Sequence, residues 1–173
     1  MPASVTFDDV SSLFRSEDLP SGLQEKAGAM WAVCGHGVFS WSVFKFYKIY
    51  LLTASGHFDP TEPYLLVLSY LRKLSAQQIV SISMQEIQRL ATPSTEQLLA
   101  WRTALERIVP DVALSDCLIG WFQPGRGVCF FSATAELGSV MDPEFASAFA
   151  AIWLDARTQR PALRQGLLGL ENA

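Results

Sequence analysis

The longest ordered rhythm in the chain runs from Gly35 to Thr53, GHGVFSWSVFKFYKIYLLT. Phe39, Trp41 and Val43 share one phase of an alternating pattern, and Phe44 and Phe46 share the other. Strand side chains alternate faces with a period of two, so the change of phase near Val43 marks a bulge or a step between strands. A short strand over 29–34 precedes this ribbon. Residues 55–62 form a polar loop with Pro60, and Pro63 follows. Tyr64–Leu71, YLLVLSYL, is a continuous apolar run of strand length and reads as a buried strand.

The rhythm then changes to the helical one. Residues 75–90 form a helix with Ser75 as cap and Gln78 three positions on, the spacing of a capping box. Thr92 and Pro93 end it, and a second helix over 94–109 aligns Leu98, Trp101, Leu105 and Ile108 until Pro110 stops it. Strands return from 113 to 140: a run through Leu118–Phe122, a turn at PGRG, then VCFF and a shorter hairpin. Asp142 and Pro143 open a helix whose buried stripe is Phe145, Phe149 and Ile152. A last helix spans 161–170. At the other end, residues 4–15 read as an amphipathic helix capped by Thr6, followed by a linker with turn chemistry at Pro20–Gly22. Helices and strands come in separate runs. That order predicts an α+β fold, a long antiparallel sheet with helices layered on one face. The division is an N-terminal helix and linker over 1–26 and one domain over 27–173.

Composition narrows the function. With 173 residues, half of them hydrophobic and 17% charged, the chain can fill one substantial core. The net charge is −4 and the basic residues are scattered, with Arg72–Lys73 the only adjacent pair, which argues against a nucleic-acid partner. The three cysteines, Cys34, Cys117 and Cys129, are odd in number and lack CxxC spacing, so neither a disulfide framework nor a zinc site is expected. No stretch reaches the roughly 20 apolar residues of a membrane span. Asp8 and Asp9 stand where a signal peptide is basic and then apolar. The expectation is a cytoplasmic protein, or a periplasmic one if a leader has been removed.

The ribbon GHGVFSW…FYKIYLL, then YLRKLSAQQIVSISMQEI, WRTALERIVPDV, LIGWFQPGRGVCFF and DPEFASAFAAIWLDARTQRPALRQGLLG together resemble bacterial proteins of the chalcone isomerase-like superfamily, from about Gly35 to Gly169. The resemblance implies an open-faced β-sandwich with a ligand cleft between sheet and helices. It implies no cofactor. Plant chalcone isomerases place an Arg on the ribbon to stabilise an enolate, with hydroxyl and amide side chains positioning substrate and water. Residues 34–44 contain no Arg here. The ribbon Thr falls near Tyr47, the helix Tyr and Asn near Ile79 and Glu86, and the C-terminal hydroxyl near Glu144. Losing a charge-stabilising donor costs about two to three orders of magnitude in rate, so chalcone isomerisation is not expected. Other superfamily members bind fatty acids or act as non-catalytic helpers.

Several side chains could still carry chemistry. On the helix over 75–90, Ile79, Ser83, Glu86 and Leu90 share one stripe at about 100° per residue. Glu86 thus lies within the apolar face and needs a cation or a hydrogen-bond donor. Lys45, Arg72 and Tyr47 are candidates from the sheet. In the alternative, Glu86 leans to the rim and pairs with Arg89 or Arg102. Lys45 and Lys48 point to opposite faces of a regular strand, and Tyr47 shares the face of Lys45 unless a bulge intervenes. Arg72 could clamp a carboxylate through two hydrogen bonds or stand as a strand-end charge in water. His36, between two glycines, and His57, in a loop, have no metal-ligand spacing, so no metal is expected. Gly125–Gly127 reads as a hairpin turn, Phe145, Phe149 and Trp153 as core, and Asp155 with Arg157 as the shapers of the last turn.

Three functions follow. The first is a non-catalytic protein that binds a small, mainly apolar ligand, fatty-acid-like or an aromatic carboxylate, through Tyr47, Lys45, Arg72, Ser83, Glu86 and Ile79. The second is a cofactor-free isomerase or lyase using Tyr47 and Glu86 as acid and base. The third is an interaction module, which a core filled solid by aromatics favours.

Overall fold

The change of phase in the ribbon is a hairpin. Strand β1 (Ala32–Trp41) turns through Ser42 and Val43 into β2 (Phe44–Thr53), and Ser42 carries the positive φ of 57°. A computed structural model describes residues 19–28 and 30–170 of the chain, so the expected helix over 4–15 lies outside the described residues. The remaining strands are β3 (Tyr64–Tyr70), β4 (Cys117–Gln123), β5 (Gly127–Phe131) and β6 (Glu136–Val140). All six pair antiparallel in chain order, as one meander.

Strands β1 to β5 serve two cores, whereas β6 packs Leu137 and Val140 against the main one. One phase, including Ile49, Leu51, Leu66, Leu68, Leu118, Phe122 and Phe130, faces the main hydrophobic cluster. The other phase, Tyr50, Leu52, Leu65, Val67, Ile119 and Phe131, forms a second cluster on the opposite face. The main face is covered by α2 (Ala76–Ala91), α3 (Thr95–Ile108), α4 (Pro143–Leu154) and α5 (Pro161–Leu167). This is the expected α+β architecture. Its helix starts follow the local chemistry: Ser75 with Gln78 and Ser94 with Gln97 form complete capping boxes, and Asp142 accepts from the backbone N–H of Glu144 and Phe145.

One segment differs from its reading. The stretch taken for a linker contains a helix, α1 (Ser21–Ala27), which buries Leu23 against the second face of the sheet. Pro20 and Gly22 read as a turn, but Pro20 stands at the N-cap, where its missing N–H costs the helix no bond, and burial of Leu19 and Leu23 supplies the tertiary support. The early strand begins at Ala32 rather than Ala29.

Two bulges tune the ribbon. The β1–β2 register slips at Cys34 and slips back between Phe39↔Tyr47 and Ser40↔Lys45, which leaves Phe46 as the extra residue. A bulge lets two successive side chains turn to one face. Phe46 and Tyr47 are therefore both buried in the main core, and Lys45 is turned out to solvent.

Candidate functional site

The bulged end of β2 faces the middle of α2 across a narrow hollow. Phe39, Phe46, Tyr47, Leu68, Tyr70 and Leu118 come from the sheet. Leu74 lies just before α2, and Ile79, Ile82 and Ser83 come from α2 itself. Leu105 and Val109 come from the end of α3, and Phe149 and Trp153 from α4. The free space is about 30 Å³. That suits one or two waters, whereas open small-molecule pockets run to about 300 Å³ or more.

Three hydroxyls reach this apolar space. The Tyr47 hydroxyl accepts a hydrogen bond from Trp153 Nε1 at 2.9 Å. Ser83 donates back to the carbonyl of Ile79 at 2.9 Å. The Tyr70 hydroxyl is buried and has no partner among the described residues. Burial pushes both phenols well above the ordinary tyrosine value, and for Tyr47 the Trp153 hydrogen bond opposes that shift only in part. Both are therefore neutral hydrogen-bonding groups at physiological pH, not bases. The rings are ordered by contact: Tyr47 stacks on Phe39 at 4.7 Å between centroids and meets Tyr70 edge-on at 5.4 Å.

Of the residues expected at the site, Tyr47, Ile79 and Ser83 line the hollow together. The other three do not. Lys45 is exposed on the ribbon's outer phase. Arg72 lies over the ring of Phe44, with its Cζ 4.4 Å from the centroid. Glu86 is buried, 1% exposed, but pairs with Arg89 on its own helix at 3.1 Å, and Arg89 also donates to the carbonyl of Arg157. This ion pair is one of the two considered from sequence, although Glu86 sits under the helix rather than at its rim. Glu144, aligned with the family's C-terminal hydroxyl, is exposed and accepts from Gln97 at the α3–α4 contact.

Two residues were missed. Tyr70 was absorbed into a run read as uniformly buried strand, and only the count of its hydrogen-bond partners singles it out. Arg160, just before α5, carries no motif or spacing that would mark it in the sequence. Its guanidinium lies 4.0 Å above Phe39 and 5.1 Å from Trp41, and its Nε donates to the carbonyl of Ser40 at 2.9 Å. Its Nη1 is buried without a partner among the described residues. Burial draws Arg160 below its ordinary pKa, opposed in part by the Glu86 carboxylate. A cation therefore does stand at the ribbon, supplied by another element. The pair of Asp155 and Arg157 shapes the turn as expected, with Arg157 also donating to the carbonyl of Leu90.

The six-stranded antiparallel sheet with helices packed on it matches the α+β chalcone isomerase-like fold. A fatty-acid binding protein of Arabidopsis thaliana matches it with a TM-score of 0.64, over 80% of this chain and 87% of that one, at 10% sequence identity. That likeness is one of fold. An uncharacterized protein of Haemophilus influenzae is 26% identical over 142 residues, covering 82% of this chain and 69% of that protein. No family model matches the chain. Among the described residues, no helix is long and apolar enough to cross a membrane.

Proposed function

We propose that the protein binds a small, mainly apolar ligand between the sheet and α2, with its polar end at Tyr47 and Tyr70. The observation that carries this reading is the Tyr70 hydroxyl, buried in an aromatic hollow with no hydrogen-bond partner among the described residues. A buried hydroxyl without a partner costs about 1–3 kcal/mol, and a ligand oxygen would relieve it. The fatty-acid binding protein of the same fold supports an acyl-chain ligand. Where the ligand carries a carboxylate, Arg160, stacked on Phe39 of the hollow's wall, has a guanidinium nitrogen without a partner among the described residues.

The free space of about 30 Å³ sets the mode of entry. An acyl chain enters only as Leu74, Ile79 and Ile82 give way, so binding is coupled to a shift of α2. Acid–base chemistry by Tyr47 and Glu86 has less support, because Glu86 does not line the hollow and is bound to Arg89.

Tyr70→Phe separates these effects. The unliganded variant gains about 1 kcal/mol in stability, since an unsatisfied polar group is gone. Its affinity for a medium-chain fatty acid, measured by calorimetry, falls about tenfold. Unchanged affinity together with unchanged melting would remove Tyr70 from the site.

A further inference from the structure

The β1–β2 turn carries apolar side chains into solvent. Val43 is 85% exposed and Phe44 51%, and the half-buried Trp41 pairs with Phe44 across the turn. Single exposed apolar residues are ordinary, but adjacent ones at a hairpin turn mark a contact surface. The charged residues next to it in the chain are of one sign. Arg72 covers one face of Phe44 and its Nε is buried without a partner among the described residues, while Lys45 and Lys73, adjacent to them in sequence, are exposed. The chain has net charge −4, yet it has no Asp or Glu between Glu25 and Asp59 or between Glu62 and Glu86. The carboxylates nearest in connectivity are Asp111 and Asp116, on the segment that pairs with Leu74 and Tyr70. Both are engaged: Asp111 accepts from the backbone N–H of Ala76, and Asp116 from that of Ala113.

We infer that this hairpin tip docks on the surface of an anionic lipid bilayer. Val43 and Phe44 enter the headgroup–acyl boundary, Trp41 lies at the interface, and Arg72, Lys45 and Lys73 meet lipid phosphates. An apolar wedge ringed by basic groups fits that surface, where both terms add. A protein groove would match the wedge but has no need of three unopposed cations. The tip also adjoins the hollow. Phe46, two residues from Phe44, lines it and lies 5.8 Å from the Arg72 guanidinium. A docked hairpin therefore sets the hollow beside the membrane from which an apolar ligand would come. Docking itself does not depend on the ligand reading.

Vesicle flotation tests it, using phosphatidylcholine alone and phosphatidylcholine mixed with phosphatidylglycerol. The protein floats with the mixed vesicles. Binding weakens sharply between about 0.1 M and about 1 M salt, as the Debye length falls from about 10 Å to about 3 Å. Val43→Ser with Phe44→Ser lowers vesicle affinity more than about tenfold, and each of Lys45→Gln and Lys73→Gln lowers it about fivefold. Melting temperatures stay near wild type, because these side chains are exposed. No flotation at low salt overturns the inference. So does equal binding to both vesicle types, or a concentration-dependent dimer that the serine pair abolishes while vesicle binding is nil. Fatty-acid affinity measured in solution is unchanged in the serine pair. If wild type binds vesicles but no fatty acid, the hollow reading fails and the docking inference stands.

Discussion

Phe149→Ala lowers the unfolding free energy by about 3–5 kcal/mol. Phe149 is 6% exposed and is the hub of the aromatic core. Its ring lies 5.3 Å from Phe145, 5.6 Å from Phe130, 6.1 Å from Phe122 and 5.1 Å from Trp153. It also forms part of the wall of the hollow. The variant therefore does two things at once. It removes the ring that ties α4 to the sheet, and it opens a void continuous with the free space beside Tyr47. Small apolar probes bind the variant more tightly than wild type, because the space need no longer be made by displacing α2. Denaturant unfolding gives the first effect and fluorescence titration with an apolar dye the second. A loss under about 1 kcal/mol, with no gain in probe binding, would mean that this ring does not bound the hollow.

Gly35→Ala destabilises by about 3 kcal/mol or more, a larger cost than the added methyl group suggests. A Cβ at Gly35 would lie 2.0 Å from the carbonyl oxygen of Gly166 and 2.4 Å from that of Leu167. Both obstacles are backbone, so no rotamer change relieves them. The last turn of α5 must lift from β1, and the segment that holds Arg160 over Phe39 moves with it. Gly22→Ala is the control. The added methyl group there meets only Phe131 at 3.9 Å, and within α1 an alanine favours the helix by up to about 1 kcal/mol. Equal melting of the Gly35 and Gly22 variants would show that β1 and α5 are not in the close contact described.

Local chemistry carried most of the architecture into the sequence. The caps at Ser75 and Asp142, the stop at Pro110 and the turn at Pro124–Gly127 are decided by residues within a few positions of each other, and those elements stand where the pattern placed them. The helix α1 was hidden because its support is Leu23 against a sheet formed by distant residues. The site was legible in part. Helical spacing turns Ile79 and Ser83 toward the hollow, and Tyr47, which the resemblance aligns with the ribbon Thr, lines it as well. Lys45 went astray because the bulge at Phe46 breaks the period-two relation between it and Tyr47. Tyr70 and Arg160 carry no local signal. What distinguishes them is a hydroxyl and a guanidinium nitrogen left unpaired by the fold, which becomes visible only once every neighbour is placed.

Quenching of tryptophan fluorescence by a brominated medium-chain fatty acid tests the central claim most directly. Of the five tryptophans, Trp153 lines the hollow, whereas Trp31 and Trp121 border a surface basin by the end of β2. Saturable quenching in wild type that disappears in Trp153→Phe is the result expected if the acyl chain lies between sheet and α2. Quenching that persists in Trp153→Phe, or none that saturates, would contradict it.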